Sequence, residues 1–218
     1  MNDQLLPTIS VIIPSFNGEG TVGEAIDSVL AQEVPVTEII VVDDGSTDDT
    51  ATVASSRSPL VRVIQATNGG PSRARNRGIA EATGELIAFL DDDDAWLPGK
   101  LQAQLNVLAR DQDLDLVATS WSRTREITLP ERAPLSRLTY YQILLFNRFQ
   151  TSTVLARRSA IEDIAGFDPA LDGVEDWDFW LRLSADHRLA IVDAPYVFYR
   201  DNPKGVSKDL QRFYLGMR

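Results

Sequence analysis

The sequence predicts an α/β fold with a mostly parallel central sheet flanked by helices. Two observations predict this class. Short apolar runs rich in β-branched residues, typical of strands buried on both faces, alternate with segments whose apolar residues recur at helical spacing. Polar loops rich in Asp, Asn, Gly and Ser follow the early strands. This alternation indicates βαβ units, which join parallel strands by right-handed crossovers.

The composition is that of one α/β domain. The chain has 218 residues, of which 44% are hydrophobic, enough for one core and a small carboxyl-terminal part. With no cysteine and a single histidine, His187, which we expect at the surface, any metal site must use oxygen ligands. The net charge of −11 argues against a nucleic-acid partner. Because the sequence has neither a membrane-spanning run nor a signal peptide, we expect a cytoplasmic protein.

The first half of the chain consists of alternating predicted strands and helices. Ile9 to Ile13 is β-branched and almost entirely apolar, which indicates a central strand, and Pro14 ends it. The apolar residues of the next segment recur at helical spacing and would cover one face of the sheet. Ser72 suits the N-cap of a later helix. By these criteria the strands cover residues 9–13, 38–42, 60–64, 87–90 and 115–119, and the helices cover 22–30, 72–82 and 98–110.

The second half of the chain is less regular. From about Trp121 the alternation weakens, and the apolar segment Leu138 to Phe149 has only 12 residues, too few to span a bilayer. That segment is either a core helix or a helix that faces a partner. The remaining elements are a strand over 151–156, a helix over 158–165 ended by Gly166, a helix whose apolar stripe is Trp177, Trp180 and Leu181, and strands over 189–192 and 196–199.

Four consecutive aspartates, Asp91 to Asp94, directly follow the predicted strand 87–90. They lie at the carboxyl end of a strand, the edge of an open α/β sheet where ligands bind. Clustered carboxylates attract a hard divalent cation such as Mg²⁺ or Mn²⁺. The run therefore predicts a metal site for a phosphorylated ligand. The alternative is a solvated acidic loop.

Two other motifs suggest different functions. Residues 18–23 fit G-x-G-x-x-G, and Asp43 follows 20 residues after the last glycine, as in dinucleotide-binding proteins. Residues 14–17, however, separate the strand from the first glycine, where that fingerprint requires an immediate turn. The second alternative is a phosphatase that forms an aspartyl-phosphate, with Asp91 as nucleophile and Asp93 as acid/base. Such sites usually follow the first strand of the chain.

Five segments together resemble glycosyltransferase family 2, which has the GT-A fold. In chain order they are residues 10–17, 40–48, 68–78, 91–94 and 173–177. The first two resemble the nucleotide-loop motifs of the family, and the third is similar to its segment ending in A-R-N-x-G. The aspartate run resembles its D-x-D motif, and the fifth segment its E-D motif. The resemblance covers nearly the whole chain and implies a Rossmann-like GT-A sheet.

The resemblance implies a site for a nucleotide sugar. Asp44 would accept a hydrogen bond from N3–H of uracil or thymine, while Asp91 would contact the ribose. Arg75 would assist the nucleotide. Asp93, with Asp91, would hold Mn²⁺ or Mg²⁺ at the diphosphate. The other residues implied at the nucleotide sugar are Pro14, Phe16, Asn17, Glu19, Asp92 and Glu175.

Asp176 would act as the catalytic base. Displacement at an anomeric carbon needs a group that deprotonates the acceptor hydroxyl, and Asp176 lies near a helix N-terminus, where the dipole favours the ionised carboxylate. Alternatively, Asp176 only caps the helix, or Asp172 and Glu175 form a capping box. The spacing of Trp177 and Trp180 suits burial in the core rather than contact with a sugar.

The reaction that the resemblance implies is an inverting, non-processive transfer of one sugar from a UDP- or dTDP-sugar to a glycan or a lipid-linked acceptor. In one domain, residues 1–120 would bind the nucleotide sugar, and residues 121–218 would provide the acceptor side and the base. We expect at most peripheral contact with the inner face of the membrane, and a homodimer is compatible with this account. The alternatives are a catalytically degenerate nucleotide-sugar-binding protein and the phosphatase.

Two departures from the family's pattern concern the metal and the acceptor. Where the family often has a His that completes the metal site, this chain has Asp201 and Asn202 after Arg200. The choice of metal therefore stays open, as do the roles of Asp92 and Asp94, which could be solvated or capping residues. The chain lacks the Q-x-x-R-W motif of processive synthases. It is also shorter than many relatives, so we expect a carboxyl-terminal acceptor-binding or membrane-associating segment to be absent.

Overall fold

The structure is a computed structural model that describes residues 6–130, 132–171 and 173–201. The predictions for Asp172 and Asn202 lie outside the described residues. The strands are β1 (Ile9–Ser15), β2 (Glu38–Asp43), β3 (Val61–Gln65), β4 (Leu86–Phe89), β5 (Ala95–Trp96), β6 (Leu116–Ser122), β7 (Leu135–Leu138), β8 (Leu155–Arg157) and β9 (Leu189–Phe198). The helices are α1 (Val22–Leu30), α2 (Thr50–Ser55), α3 (Pro71–Glu81), α4 (Lys100–Arg110), α5 (Tyr140–Leu145), α6 (Arg158–Asp163) and α7 (Glu175–Asp186).

The strands form one mixed sheet in the order β3-β2-β1-β4-β8-β6-β9-β5, with β7 also paired to β9. The strands β3, β2, β1 and β4 are mutually parallel, and β6 is parallel to β9. Each antiparallel pair in the described part of the chain includes β8 or β9. The predicted α/β fold is confirmed, with its contiguous parallel strands in the first half of the chain.

Helices cover both faces of the sheet because the central strands are apolar on both faces. Ile9, Val11 and Ile13 of β1 pack with α1, α2 and α4 on one face. Ile12 packs with α3, α6 and α7 on the other face, as the two-residue period of a strand requires. At Gly78 of α3, a Cβ would lie 2.4 Å from Cγ2 of Ile12, so the close contact between helix and strand depends on this glycine.

Two helices begin at residues other than the predicted ones. α3 starts directly after Gly70, which has a φ of +86°, so the prediction of Ser72 as N-cap is wrong. α4 starts at Lys100 rather than at Pro98, because the intervening Gly99 has a left-handed φ of +83° that a right-handed helix cannot include. Both starts are therefore set by glycine backbone conformation.

Three predictions for the second half are wrong in detail. Residues 151–156 do not form one strand, because a 3₁₀ turn at Thr151–Thr153 precedes β8. The two strands predicted over 189–192 and 196–199 are one continuous strand, β9. The helix over 158–165 ends earlier, as α6. The short strands β5 and β7 were not predicted.

The apolar segment 138–149 contains the short helix α5. Thr139 and Gln142 form a capping box at its start. Of the α5 residues only Ile143 is buried, so most of the apolar side chains of this helix face outward. No helix in the described ranges has the length and apolar character needed to cross a bilayer.

An aromatic cluster fixes the position of α7 against the sheet. Phe89 of β4 lies 5.4 Å from Phe167 and 6.3 Å from Phe179 of α7, measured between ring centroids. Trp180 is fully buried, as predicted, whereas Trp177 is only partly buried. The predicted apolar stripe is thus displaced, and Phe179 and Leu183 lie in the core. This packing places the first turn of α7 beside the aspartate run that follows β4.

Candidate active site

The loops after β1 and β2 are joined by hydrogen bonds. The side chain of Asn17, a residue with a φ of +52°, accepts from the backbone N of Thr47 at 2.9 Å. Glu19 Oε2 accepts from the backbone N of Asp49 at 3.1 Å. Phe16 directly precedes Asn17 and is 52% exposed. Of the residues predicted here, Asn17, Glu19 and Phe16 line the sheet edge, while Pro14 is buried within β1.

Asp44 connects the end of β2 to the segment before α3. Its carboxylate accepts hydrogen bonds from the backbone N of Gly69 at 2.9 Å and of Gly70 at 2.8 Å, and the residue is 5% exposed. Each carboxylate oxygen can accept more than one hydrogen bond. Asp44 therefore orders the loop and retains acceptor capacity.

Arg75 links the aspartate run to α7. It is buried, its Nη2 donates to Asp91 Oδ1 at 2.7 Å, and its Nη1 donates to Glu175 Oε1 at 3.3 Å. Burial alone would lower the pKa of Arg75, but the two carboxylates outweigh burial and raise it. Arg73 and Arg77, which lie on the same helix, are instead exposed. Three residues distant in sequence are thereby held in one charged cluster.

Asp92 packs against the loop after β1. Its Oδ2 accepts a short hydrogen bond from the hydroxyl of Ser15. Burial raises the pKa of Asp92 to about 7, opposed by that hydrogen bond, while the negative charges of Asp93 and Asp91 raise it further. A Cβ at Gly18 would lie 2.1 Å from Asp92 Oδ2, so the loop needs a glycine there to admit the carboxylate.

Asp94 is an internal support of the run rather than a solvated residue. Its Oδ2 accepts from Ser152 Oγ at 2.6 Å, and its Oδ1 accepts from the backbone N of Arg200 at 3.1 Å. Ser152 Oγ in turn accepts from the backbone N of Asp91 at 3.0 Å. Burial raises the pKa of Asp94 to about 8, with a further contribution from Asp91. The 3₁₀ turn therefore holds both ends of the aspartate run.

Buried side chains hold the 3₁₀ turn from the opposite side. Trp96 Nε1 donates to the carbonyl of Ser152 at 2.9 Å, and Gln104 Nε2 donates to the carbonyl of Thr153 at 2.9 Å. Lys100 is fully buried, donates to Gln104 Oε1 at 3.0 Å and lies 4.1 Å from the centroid of the Trp96 ring. Burial lowers the pKa of Lys100 well below its usual value.

The aspartate run fits a divalent cation that is shared with a bound ligand. In the described part of the chain, no three His, Asp or Glu side chains are grouped so that they could hold a metal alone. Mg²⁺-type cations are commonly held by one or two carboxylates together with phosphate oxygens. Asp91 and Asp93 are both partly exposed at the sheet edge, and the crowded negative charge around them favours a cation. Asp93 and Asp91 are therefore suitable donors for such a site.

Asp176 lies in the first turn of α7, beside a cleft of about 260 Å³. The N-cap is Val174, so the alternative that Asp176 is the capping residue is wrong. Asp176 Oδ2 accepts from Asn147 Nδ2 at 2.8 Å. Burial raises the pKa of Asp176 to about 6, and the hydrogen bond from Asn147 opposes that shift. Leu145, Phe146 and Trp177 also line the cleft.

His187 does not belong to this cluster. It lies at the end of α7, opposite Asp176, and its side chain is only 14% exposed, between Asp115 and Asp163. The prediction of a surface residue is therefore wrong, because these two acidic side chains and the end of the helix enclose the ring.

Four site residues were missed by sequence reasoning. Asn147, Ser152, Ser15 and Arg200 all bind carboxylates of the run or Asp176, yet none stands out in the sequence as a catalytic type. Ser15 and Arg200 were missed only in part. Ser15 lies inside the first motif, between Pro14 and Phe16, and Arg200 precedes the position where the family often has a His. Asn147 and Ser152 reach the site only through the packing of the irregular second half.

Sequence comparison shows which known proteins this chain resembles. The sequence profile described as Glycosyl transferase family 2 matches residues 10–163. An uncharacterized glycosyltransferase of Rickettsia felis is 33% identical over 188 residues, which cover 81% of this chain and 31% of the relative. The Escherichia coli protein UDP-Glc:alpha-D-GlcNAc-diphosphoundecaprenol beta-1,3-glucosyltransferase WfgD is 27% identical over 220 residues, 97% of this chain and 85% of that protein. The chain spans 31%, 63% and 58% of the length of the first three curated relatives.

Solved structures share the fold. S. aureus TarS 1-349 in complex with UDP-GlcNAc has a TM-score of 0.79 and 24% identity, covering 93% of this chain and 61% of TarS. The mannosyltransferase PcManGT from Pyrobaculum calidifontis, in complex with GDP-Man and Mn²⁺, has a TM-score of 0.74 and 21% identity, covering 98% of this chain and 63% of PcManGT. These matches confirm the GT-A fold, and the phosphatase and dinucleotide hypotheses are set aside. The chain belongs to glycosyltransferase family 2.

Proposed function

We propose that this glycosyltransferase transfers one sugar, with inversion at the anomeric carbon and without processivity, from a UDP- or dTDP-sugar to a glycan or a lipid-linked acceptor. One observation carries the proposal. Arg75 binds Asp91 of the aspartate run and Glu175, the residue beside Asp176, so the donor side and the base belong to one charged cluster. A single displacement requires these two functions to be adjacent.

The donor would lie along the carboxyl edge of β1, β2 and β4. Asp44 would accept from the base, and Asp91 would contact the ribose. Pro14, Phe16, Asn17, Glu19 and Asp92 form or support the adjoining loop, and Glu175 holds Arg75 in place. Arg75 keeps positive charge next to the position proposed for the diphosphate.

Asp93, with Asp91, would hold Mn²⁺ or Mg²⁺. When bound, the cation supplies positive charge that stabilises the negative charge of the diphosphate. Three side chains hold the aspartate run in place by hydrogen bonds. Ser152 accepts from the backbone N of Asp91, Arg75 donates to the Asp91 carboxylate, and Ser15 donates to Asp92.

Asp176 would take the proton of the acceptor hydroxyl. Its pKa of about 6 leaves it ionised at neutral pH and still a stronger base than an ordinary aspartate. The cleft beside it gives an acceptor access to the carboxylate. Asn147 holds the carboxylate in one orientation by donating to Oδ2. These features support the assignment of Asp176 as general base.

The names of related proteins support the choice of substrates. The name of WfgD gives UDP-Glc as donor and a sugar on diphosphoundecaprenol as acceptor. TarS was solved with UDP-GlcNAc, which also supports a UDP-sugar. PcManGT was solved with GDP-Man and Mn²⁺, which supports a divalent cation but not the choice of uracil or thymine. A cytoplasmic enzyme with peripheral contact at the inner face of the membrane would have access to both nucleotide sugars and lipid-linked acceptors.

A donor screen tests the proposal. The protein is heated with UDP-, dTDP- and GDP-sugars, each with and without Mn²⁺, and the donors that stabilise it are then assayed for nucleotide release with sugar acceptors. We expect stabilisation by uracil or thymine nucleotides and acceptor-dependent release of UDP or dTDP. Stabilisation only by GDP-sugars would contradict the donor assignment, and stabilisation without turnover on any acceptor would contradict the catalytic one.

A further inference from the structure

The helix α5 and the residue after it form an exposed apolar surface beside the cleft. Tyr141 is 75% exposed, Leu145 67% and Phe146 64%. Tyr140 and Leu144 are exposed as well. We call these five side chains the α5 face. A contiguous apolar surface of this kind marks an interaction site rather than ordinary solvent-exposed surface.

The α5 face is a built surface rather than a loose loop. The capping box of Thr139 and Gln142 satisfies the first turn of the helix. Ile143, on the opposite side of the helix, is fully buried, and its carbonyl accepts from Trp177 Nε1 at 2.6 Å. The helix is thereby held against α7, and its remaining apolar side chains are directed outward.

The α5 face is continuous with the cleft that contains Asp176. Leu145 and Phe146 line that cleft, and Asn147, the next residue, donates to Asp176. Whatever covers the α5 face therefore also lies at the entrance to the proposed acceptor position.

A positive charge directly follows the α5 face. Arg148, two residues after Phe146, is exposed and forms no ion pair with any residue in the described ranges. A basic side chain next to exposed apolar ones favours contact with an anionic membrane surface.

We propose that the α5 face docks on a bilayer that contains anionic lipid, which directs the Asp176 cleft toward the membrane surface. Aromatic and Leu side chains beside an arginine are the combination that binds the interface between lipid headgroups and acyl chains. A second copy of the chain fits less well, since five side chains present on the order of 500 Å², at roughly 150–250 Å² per aromatic residue. A stable dimer needs about 800 Å² from each partner. The inference deepens the proposed function and rests on it, because the lipid-linked acceptor is part of that proposal.

Vesicle flotation tests this proposal. The native chain is mixed with vesicles of phosphatidylcholine and phosphatidylglycerol in equal amounts, or of phosphatidylcholine alone. We expect flotation with the anionic vesicles, weakened by salt, and little with the neutral ones. Tyr141→Ser together with Leu144→Ser, two positions that do not line the cleft, should reduce the bound fraction about tenfold. Leu30→Ser together with Leu60→Ser, a matched pair of exposed leucines elsewhere, should leave flotation unchanged.

Three results would overturn the proposal. The first is that the native chain does not float with the anionic vesicles. The second is that both double variants lose flotation equally. The third is that sedimentation velocity shows the native chain to be a dimer that the α5 substitutions dissociate. The same samples are assayed for stabilisation by UDP and for transfer to a soluble acceptor, which the α5 variant should retain. If the native chain shows no transfer to any acceptor, the proposed function is contradicted, whereas the conclusion from flotation is unaffected.

Discussion

Arg75 Nη2 lies 2.7 Å from Asp91 Oδ1, and this contact joins α3 to the aspartate run inside the protein. The same guanidinium also binds Glu175 at 3.3 Å. Removing a buried cation from between two carboxylates leaves them without a compensating charge, which is costly even though the isolated pair adds little net stability.

Arg75→Met should therefore destabilise the protein. We expect a loss of about 2–3 kcal/mol in the free energy of unfolding, less than for a fully buried pair because Asp91 is partly exposed. Urea unfolding measures the loss. Arg77→Met is the matched control on the same helix, since Arg77 forms only an exposed i,i+4 pair with Glu81 among the residues that the structure describes. It should change stability by less than about 0.5 kcal/mol. Equal effects of the two substitutions would contradict the central position of Arg75.

Ser152→Ala should loosen the aspartate run. The backbone N of Asp91 and Oδ2 of Asp94 both lose their partner, and an unsatisfied buried group costs about 1–3 kcal/mol. We expect this loss in urea unfolding, together with weaker Mn²⁺-dependent binding of UDP in calorimetry. Ser72→Ala is the control, because the buried Ser72 hydroxyl has no hydrogen-bond partner among the described residues. If both serines behave alike, Ser152 is not a positioning residue.

The success of the sequence predictions depends on how local the determining interactions are. Ile9 to Ile13 could be assigned because a strand buried on both faces is apolar at every position. The turn Thr151–Thr153 was predicted as strand, since β-branched residues favour strands, but the hydroxyl of Ser152 makes hydrogen bonds to Asp94 and Asp91 that are set by tertiary packing. Lys100 shows the same limit, since nothing local indicates that a lysine at a helix start is fully buried.

The candidate site was predictable where motifs carry it. The sequence placed Asp91, Asp93 and Asp176 in motifs, and the structure brings the aspartate run and the first turn of α7 together through Arg75. Asn147 could not be predicted, because it lies in an irregular segment with no periodic pattern. Its contact with Asp176 exists only because α5 packs on α7.

The activity should depend on pH through Asp176. Because burial raises its pKa to about 6, the base is protonated in acid, and kcat/KM should fall as the pH drops below about 6. Asn147→Leu should move this decline to higher pH, since the amide hydrogen bond lowers the pKa. A decline at an unchanged pH in Asn147→Leu would show that another group titrates.

The raised pKa of Asp176 also predicts how the stability of the protein changes with pH. The unfolded aspartate releases its proton near pH 3.9, whereas the folded one retains it up to about pH 6. The folded state therefore binds more protons in this window, and stability relative to Asp176→Asn should fall as the pH rises from about 4 to about 6. Urea unfolding of the native chain and of Asp176→Asn between about pH 4 and about pH 6 measures the difference in their free energies of unfolding. A native chain that gains stability relative to the variant as the pH rises would contradict the raised pKa.

Asp93→Asn should abolish the Mn²⁺-dependent part of the thermal stabilisation by UDP. The substitution removes an anionic ligand for a hard cation and leaves the size of the side chain unchanged. Asp113→Asn, at an exposed aspartate paired with Arg188, is the control and should retain the full shift. If the shift survives unchanged in Asp93→Asn, Asp93 is not a ligand of the cation.

The most direct test of the central claim is transfer by Asp176→Asn. The account predicts that kcat falls by about 10²–10⁴-fold, the usual contribution of a general base, while the Kd of the donor changes little. Asp178→Asn, at an acidic residue in the same turn of α7 that pairs with Arg182, should retain transfer. Near-normal kcat in Asp176→Asn with donor bound would contradict the assignment of Asp176 as the base.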